Sequence, residues 1–152
     1  AFVGLAGLAF FGLAVLRSNQ RDGLNLEGLN DETRQLVIGE RVYASQCGAC
    51  HGVDFAGQPE WKIPNRDGTL KAPPLNEDGL LVSYSDAIIE EKIRYGAALL
   101  NDDMQRLSNM PAYDTILTDE EIDAVIAYIK AQWPPEAQEV QSQITAEEEG
   151  DS

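Results

Sequence analysis

The hydrophobic residues of this chain are concentrated first in one unbroken run and then in shorter stripes. Residues 1–16 are apolar or small and carry no charge, and the run ends at Arg17 with Arg21 close behind. A membrane span needs about 20 apolar residues, so the run predicts a transmembrane anchor over residues 1–17 whose first part precedes Ala1. The alternatives are a buried core helix and a signal peptide, which would end in small residues at a cleavage site. The basic end of the run favours the anchor.

A linker and a first soluble helix follow. Residues 18–30 are polar, rich in Gly and Asn, and without helical periodicity, which is typical of a linker. Asn30 can cap a helix, and the two acidic residues after it suit the positive N-terminal end of a helix dipole. Apolar positions then recur at helical spacing. We therefore expect a helix that begins after Asn30 and runs into the cysteines.

Two more helices are predicted in the second half of the chain. Ser83 or Ser85 can open a helix that Gly96 stops. Thr118 begins a capping box that is followed by an apolar stripe with helical spacing. This last helix ends at Trp133, which two prolines follow.

The remaining segments predict a long loop and a tail. Residues 52–82 hold four prolines and several glycines without a sustained period, and a loop of that length needs an organiser such as a large buried cofactor. No segment alternates with period two for long, so strands are not expected. The sequence thus predicts an all-α domain over residues 31–133, and an acidic C-terminal tail over residues 134–152 that is mobile or bound to a partner.

The chain is strongly acidic. It has 26 Asp and Glu against 11 Lys and Arg, which gives a formal net charge of −15 at pH 7. Residues 134–152 contain six acidic residues and no Lys or Arg, so this tail supplies −6 and residues 1–133 supply −9. Phosphate binding requires clustered basic residues, so no nucleic-acid partner is expected. A partner with a basic docking face fits the charge better.

Both cysteines and the one histidine lie in a single pentapeptide. Cys47 and Cys50 are three positions apart, and His51 follows directly. The Cys-x-x-Cys-His spacing is typical of c-type haem attachment, in which each thiol adds to one haem vinyl group and the adjacent imidazole ligates the iron. We therefore expect one covalent haem c, with His51 as an iron ligand.

Three other uses of these residues are less consistent with the sequence. A thioredoxin-like motif would have a strand before it and a helix after it, whereas here a helix precedes and a loop follows. A structural zinc site needs four ligands, and this chain has three Cys and His residues in all. A Cys–His nucleophile pair would need a remote histidine as its base, and no second histidine exists.

A second axial ligand must come from another residue type, and the two methionines, Met104 and Met110, are the candidates. A thioether stabilises reduced iron and raises the reduction potential. Filling gaps in the core is the more common use of a methionine. Met110 is preferred because Pro111 stiffens the backbone beside it. Met104 lies among charged and polar residues, a setting that is typical of an exposed position.

With these motifs, residues 33–133 resemble class I cytochrome c, a family of compact all-α domains of three to five helices around one haem. In that family a glycine and an aromatic residue of the first helix meet the last helix. Gly39 and Tyr43 match these two residues of the first helix. Val125 and Tyr128 match the positions of the last helix that they meet. The resemblance also implies that Met110, followed by proline, is the distal ligand.

The resemblance implies further contacts of the haem. The family's Gly-Pro-x-Leu segment corresponds to residues 72–75, with Ala72 in place of glycine, and the carbonyl of Pro73 is the implied partner of His51. Trp61 can donate its indole N–H to a haem propionate, or it can simply pack in the loop. Three basic residues can offset the propionates or remain solvated; they are Lys62, Arg66 and Lys71.

These features together predict an electron carrier and not an enzyme. We expect it to be a subunit of a membrane-bound quinol-oxidising or oxidase complex, such as alternative complex III, with the haem domain on the periplasmic side of the bacterial cytoplasmic membrane. Its partners would be other membrane electron-transfer subunits. The alternative is a haem enzyme or gas sensor with a displaceable sixth ligand, which would need a distal acid–base group.

Overall fold

The architecture is that of helices joined by turns and one long loop, in a computed structural model that describes residues 26–99 and 107–150. No strand occurs within these residues. The helices are α1 Asp31–Val42, the short α2 Gly48–His51, α3 Asp86–Tyr95, α4 Asp119–Lys130 and α5 Pro135–Gly150, with a π-helical turn at Tyr43–Cys47 and 3₁₀ turns at Leu81–Ser83 and Gly96–Leu99.

The predicted anchor over residues 1–17, most of the predicted linker and Met104 lie outside the described residues. In the two described ranges, no helix combines the length and the apolar composition needed to cross a membrane.

Side-chain caps set the starts of three helices. Asn30, Ser85 and Thr118 each accept a hydrogen bond from the backbone N–H three residues later. Each such cap stabilises its helix by about 1 kcal/mol. The predicted helix starts are therefore confirmed, and of the two serines proposed for α3 it is Ser85 that caps, while Ser83 ends a 3₁₀ turn.

The core is centred on the crossing of α1 and α4. A Cβ atom placed on Gly39 would overlap the carbonyl oxygen of Ala124 and would lie 2.6 Å from Cβ of Tyr128. The Tyr43 and Tyr128 rings are 5.9 Å apart between centroids, and Val125 is completely buried. The crossing that the resemblance implied is thus present, and it allows the two helix backbones to approach closely because Gly39 has no side chain.

Hydrogen bonds organise the long loop over residues 52–82. Its backbone pairs with itself, since the Leu75 N–H donates to the Phe55 carbonyl at 2.9 Å. The indole N–H of Trp133 donates to the Leu75 carbonyl at 2.8 Å, and Trp133 is almost completely buried. The loop is therefore fastened to the end of α4.

The expectation of a mobile or partner-bound tail is wrong for residues 135–150, which form helix α5 against the domain. Gln141 is fully buried, and its Nε2 donates to the Tyr84 carbonyl at 3.1 Å and to Asp86 Oδ1 at 2.7 Å. Thr145 Oγ1 accepts from the N–H of Asp86 at 3.1 Å and so satisfies a free donor at the start of α3. These hydrogen bonds, together with packing of Ala137 against the hydrophobic core, hold the helix in place.

Replacing Gln141 by glutamate is expected to lower the free energy of unfolding by about 3 kcal/mol. The change puts a carboxylate where an amide donor lay 2.7 Å from Asp86 Oδ1, in a side chain with no exposed surface. Denaturant unfolding followed by helical circular dichroism would measure the loss.

Gln143→Glu is the matched control. Its amide also donates to a carboxylate, that of Glu139 at 2.9 Å, but on the exposed side of α5. A like-charge pair one turn apart on an exposed helix costs a few tenths of a kcal/mol. Equal stabilities of the two variants would show that α5 does not dock through Gln141 in solution.

Candidate haem site

The attachment segment follows directly from the first helix. The chain passes from α1 through the π-helical turn into α2, which places Cys47, Cys50 and His51 within about one and a half turns. Both thiols are unpaired; Cys47 is half-buried and Cys50 is exposed. The Tyr43 hydroxyl donates to the carbonyl of Gly52 at 2.6 Å, so a hydrogen bond joins the two ends of the segment. Short π-helical insertions of this kind are frequent at functional sites.

His51 is oriented by the long loop. Its Nδ1 lies 2.8 Å from the carbonyl oxygen of Pro73, which is the hydrogen bond that the resemblance implied. A carbonyl only accepts, so Nδ1 carries the proton and Nε2 is left with a free lone pair. Burial lowers the pKa of His51, although the hydrogen bond to Pro73 acts in the opposite direction. The ring is therefore held in the neutral tautomer that a metal ligand requires.

Gly57 brings the Pro73 carbonyl within reach of the imidazole. Its N–H donates to the His51 carbonyl at 2.8 Å, and its φ of +71° lies in the region that favours glycine. A Cβ at this position would lie 2.6 Å from the carbonyl carbon of Pro73. Sequence reasoning assigned no contact to Gly57, because a glycine in a glycine-containing loop gives no sign of what it approaches.

The alanine that replaces the family's glycine is accommodated without strain. Among the described residues, the two non-glycine residues with positive φ are Phe55 and Glu60, so Ala72 does not need a glycine conformation. Gln58 brackets Ala72, since the Gln58 N–H donates to the Ala72 carbonyl at 2.9 Å and the Ala72 N–H donates to Gln58 Oε1 at 3.1 Å. These two bonds fix the residue just before Pro73.

Met110 lies half-buried in a loop that is bonded to two other parts of the domain. Its N–H donates to Ser108 Oγ at 3.3 Å, and its carbonyl accepts from the N–H of Ala97 at 3.1 Å, beyond the end of α3. The Leu107 carbonyl accepts from the N–H of Leu70 at 2.6 Å, in the long loop. The backbone around Met110 is thus hydrogen-bonded both to the end of α3 and to the long loop.

Trp61 is placed in the long loop, and its role toward a propionate stays a prediction. The side chain is half-buried, and Lys62 Nζ lies 5.1 Å from the centroid of its ring. Lys71 Nζ donates to the Pro59 carbonyl at 3.0 Å, so this basic residue has a local structural contact. The tryptophan with the better-defined structural role is Trp133, which sequence reasoning treated as a helix end.

The Cys47 thiol lacks the lowered pKa that is typical of dithiol exchange. Burial, with a smaller contribution from the neighbouring Cys50, raises the pKa of Cys47 to about 11. Redox-active Cys-x-x-Cys motifs have a lowered thiol pKa, because the thiolate is the nucleophile.

In the described ranges no three His, Cys, Asp or Glu side chains are grouped so as to hold a metal ion.

The residues present fit a covalently bound haem. Two unpaired thiols and an imidazole with a free Nε2 occupy consecutive turns, and a methionine lies in a firmly bonded loop. Thiols and an imidazole in this arrangement, within a small helical domain, are typical of a protein that binds haem covalently. Residues 36–133 match the Cytochrome c family, and the chain belongs to that family. Membership implies a covalently bound haem c and haem-based electron transfer. No solved structure matches the chain.

Proposed function

We propose that this protein carries single electrons on one haem c that is attached through Cys47 and Cys50 and ligated by His51 and Met110. When bound, the haem iron supplies reversible one-electron chemistry. The observation that carries the proposal is the 2.8 Å hydrogen bond from His51 Nδ1 to Pro73, since it directs the other ring nitrogen toward a ligand. No bond of a substrate has to be broken for this function.

The protein's own groups would act by holding the ligands still. Pro73 prevents rotation of the imidazole and raises its basicity, as partners of metal-bound histidines do. The bonds of the Met110 backbone to Ser108 and Ala97 restrict movement of the thioether. A site that keeps its ligands in both oxidation states reorganises little, which favours fast electron transfer.

We further propose that the carrier is tethered to a membrane. The support is the uncharged run up to Arg17, whose composition is typical of a transmembrane helix. A tether replaces diffusion by a high effective concentration near a membrane enzyme. Covalent haem attachment on the periplasmic side would place the domain there, beside the other subunits of a quinol-oxidising or oxidase complex such as alternative complex III.

The proposed redox partner has a basic docking face. The net charge of −15 would attract such a surface and speed the encounter, and salt would weaken the attraction. Helix α5 adds to this charge, since Glu136 and Glu139 are both exposed on it.

Covalent attachment is tested by the mass of the denatured protein after expression with haem maturation. The wild type should carry the mass of one haem, and the Cys47→Ser/Cys50→Ser double variant should lose it. Ala49→Ser, which adds a hydroxyl at the exposed position between the cysteines, should keep the haem and serves as the control.

Two results would contradict the proposal. An unmodified chain mass with two titratable thiols would favour a thiol–disulfide protein. Ready binding of carbon monoxide by the ferrous protein, without the weak far-red band of methionine sulfur bound to ferric haem, would favour the haem enzyme or gas sensor.

A further inference from the structure

A buried tyrosine connects the loop of Met110 to the haem attachment segment. Tyr113 is 7% exposed, and its hydroxyl donates to the carbonyl oxygen of Gln46 at 2.9 Å. Gln46 directly precedes Cys47, the first attachment cysteine. The bond therefore links the segment that carries the two thiols and His51 to the loop that carries Met110, across 67 positions of sequence.

The backbone of Tyr113 is itself fixed. Its N–H donates to the carbonyl of Arg94 at 2.9 Å, near the end of α3, and its own carbonyl accepts from the N–H of Leu117 at 2.9 Å. Because the main chain is hydrogen-bonded to the end of α3 at this point, the base of the phenol ring is fixed relative to that helix. Because the ring is rigid, it sets the distance between the Tyr113 backbone and the Gln46 carbonyl that its hydroxyl binds.

The backbone at Met110 is also held against α3. Gly96, at the end of α3, has a φ of +49°, and a Cβ there would lie 2.6 Å from the Met110 carbonyl oxygen. The loop therefore lies against α3 at Gly96 and is joined to the attachment segment through Tyr113. Loosening either contact would let the loop move relative to His51.

From these contacts we propose that Tyr113 is a positioning residue, which keeps Met110 at a set distance from the attachment segment and so holds the methionine on the iron. The inference rests on the proposed ligation by Met110. It goes beyond that ligation because it says which group keeps the thioether in place when another ligand competes for the iron.

The test is imidazole binding to the ferric holoprotein with Tyr113→Phe. This change removes the hydroxyl and keeps the ring, so the core remains filled. Loss of one hydrogen bond that favours the methionine-bound state should tighten apparent imidazole binding about five-fold, which corresponds to roughly 1 kcal/mol. The far-red band of the methionine ligand should remain in the absence of imidazole and disappear on titration.

Asn30→Ala is the control for a simple loss of stability. Asn30 caps α1 at its far end, so its replacement costs about 1 kcal/mol of unfolding free energy without a contact to the Met110 loop. Its imidazole affinity should equal that of the wild type. A Tyr113→Phe protein that binds imidazole no more tightly than Asn30→Ala would overturn the inference.

Failure of this inference is distinguishable from failure of the proposed ligation. A wild-type protein that lacks the far-red band would overturn ligation by Met110 and the role of Tyr113 with it. A wild type that has the band, together with an unchanged imidazole affinity in Tyr113→Phe, would overturn the role of Tyr113 alone.

Discussion

Met110→Leu is expected to lower the reduction potential and to open the iron to external ligands. Leucine has a similar volume but no donor atom, so the stabilisation of reduced iron by the thioether is lost. The decrease should be on the order of 0.1–0.2 V, within the roughly 0.8 V that axial ligands span in haem proteins. A redox titration followed by the visible spectrum measures it, and carbon monoxide binding to the ferrous protein reports the open position.

Met104→Leu is the matched control, because it is the same substitution at the other methionine of the chain. Its reduction potential should equal that of the wild type. Equal effects of the two substitutions would mean that the choice of Met110 from the Asn109-Met110-Pro111 sequence is wrong. The structural support for Met110 is the set of backbone hydrogen bonds that join its loop to Ser108 and Ala97.

Helix starts were predictable from the sequence because capping is local. The side chains of Asn30 and Thr118 bond N–H groups three residues away, and the pattern that encodes each bond is contained in four consecutive residues. The choice between Ser83 and Ser85 could not be made in this way, since either serine can cap. It is settled by which of them comes directly before the helix in the folded chain.

Contacts across the long loop could not be predicted from local pattern. Trp133 bonds the carbonyl of Leu75 over 58 positions, and a tryptophan before two prolines is read from sequence as a helix end. The contact of Gly57 could not be predicted either, because only the fold shows that the Pro73 backbone lies against it. The partner of His51 was named correctly only because a family resemblance supplied what periodicity and spacing do not contain.

Helix α5 was missed for a different physical reason. Its composition is acidic and has no broad apolar stripe, which is typical of a solvated tail. Two uncharged polar residues of this helix, Gln141 and Thr145, form hydrogen bonds with the start of α3, and one small apolar residue, Ala137, packs against the core. A buried polar contact leaves no hydrophobic pattern in the sequence. The composition of the segment therefore predicted a mobile or partner-bound tail and not a docked helix.

Gly39→Ala is expected to lower the free energy of unfolding by about 3 kcal/mol, at the upper end of the usual cost of overpacking. The new Cβ would overlap the carbonyl oxygen of Ala124, a backbone atom that cannot rotate away, and would crowd Tyr128. Helices α1 and α4 would have to separate. For a domain of this size the midpoint of thermal unfolding should fall by about 10 °C or more.

Gly48→Ala separates this steric effect from helix propensity. Gly48 is also helical, with a φ of −60°, but a Cβ there would meet no atom closer than 3.5 Å, which is an ordinary contact. When space permits, replacing a glycine within a helix by alanine raises the free energy of unfolding by roughly 0.5–1 kcal/mol. This variant should therefore be as stable as the wild type or slightly more stable. If Gly39→Ala were equally well tolerated, the close approach of α1 to α4 would not exist in solution. Because α1 continues through the π-helical turn to Cys47, Gly39→Ala should also yield less haem-loaded protein.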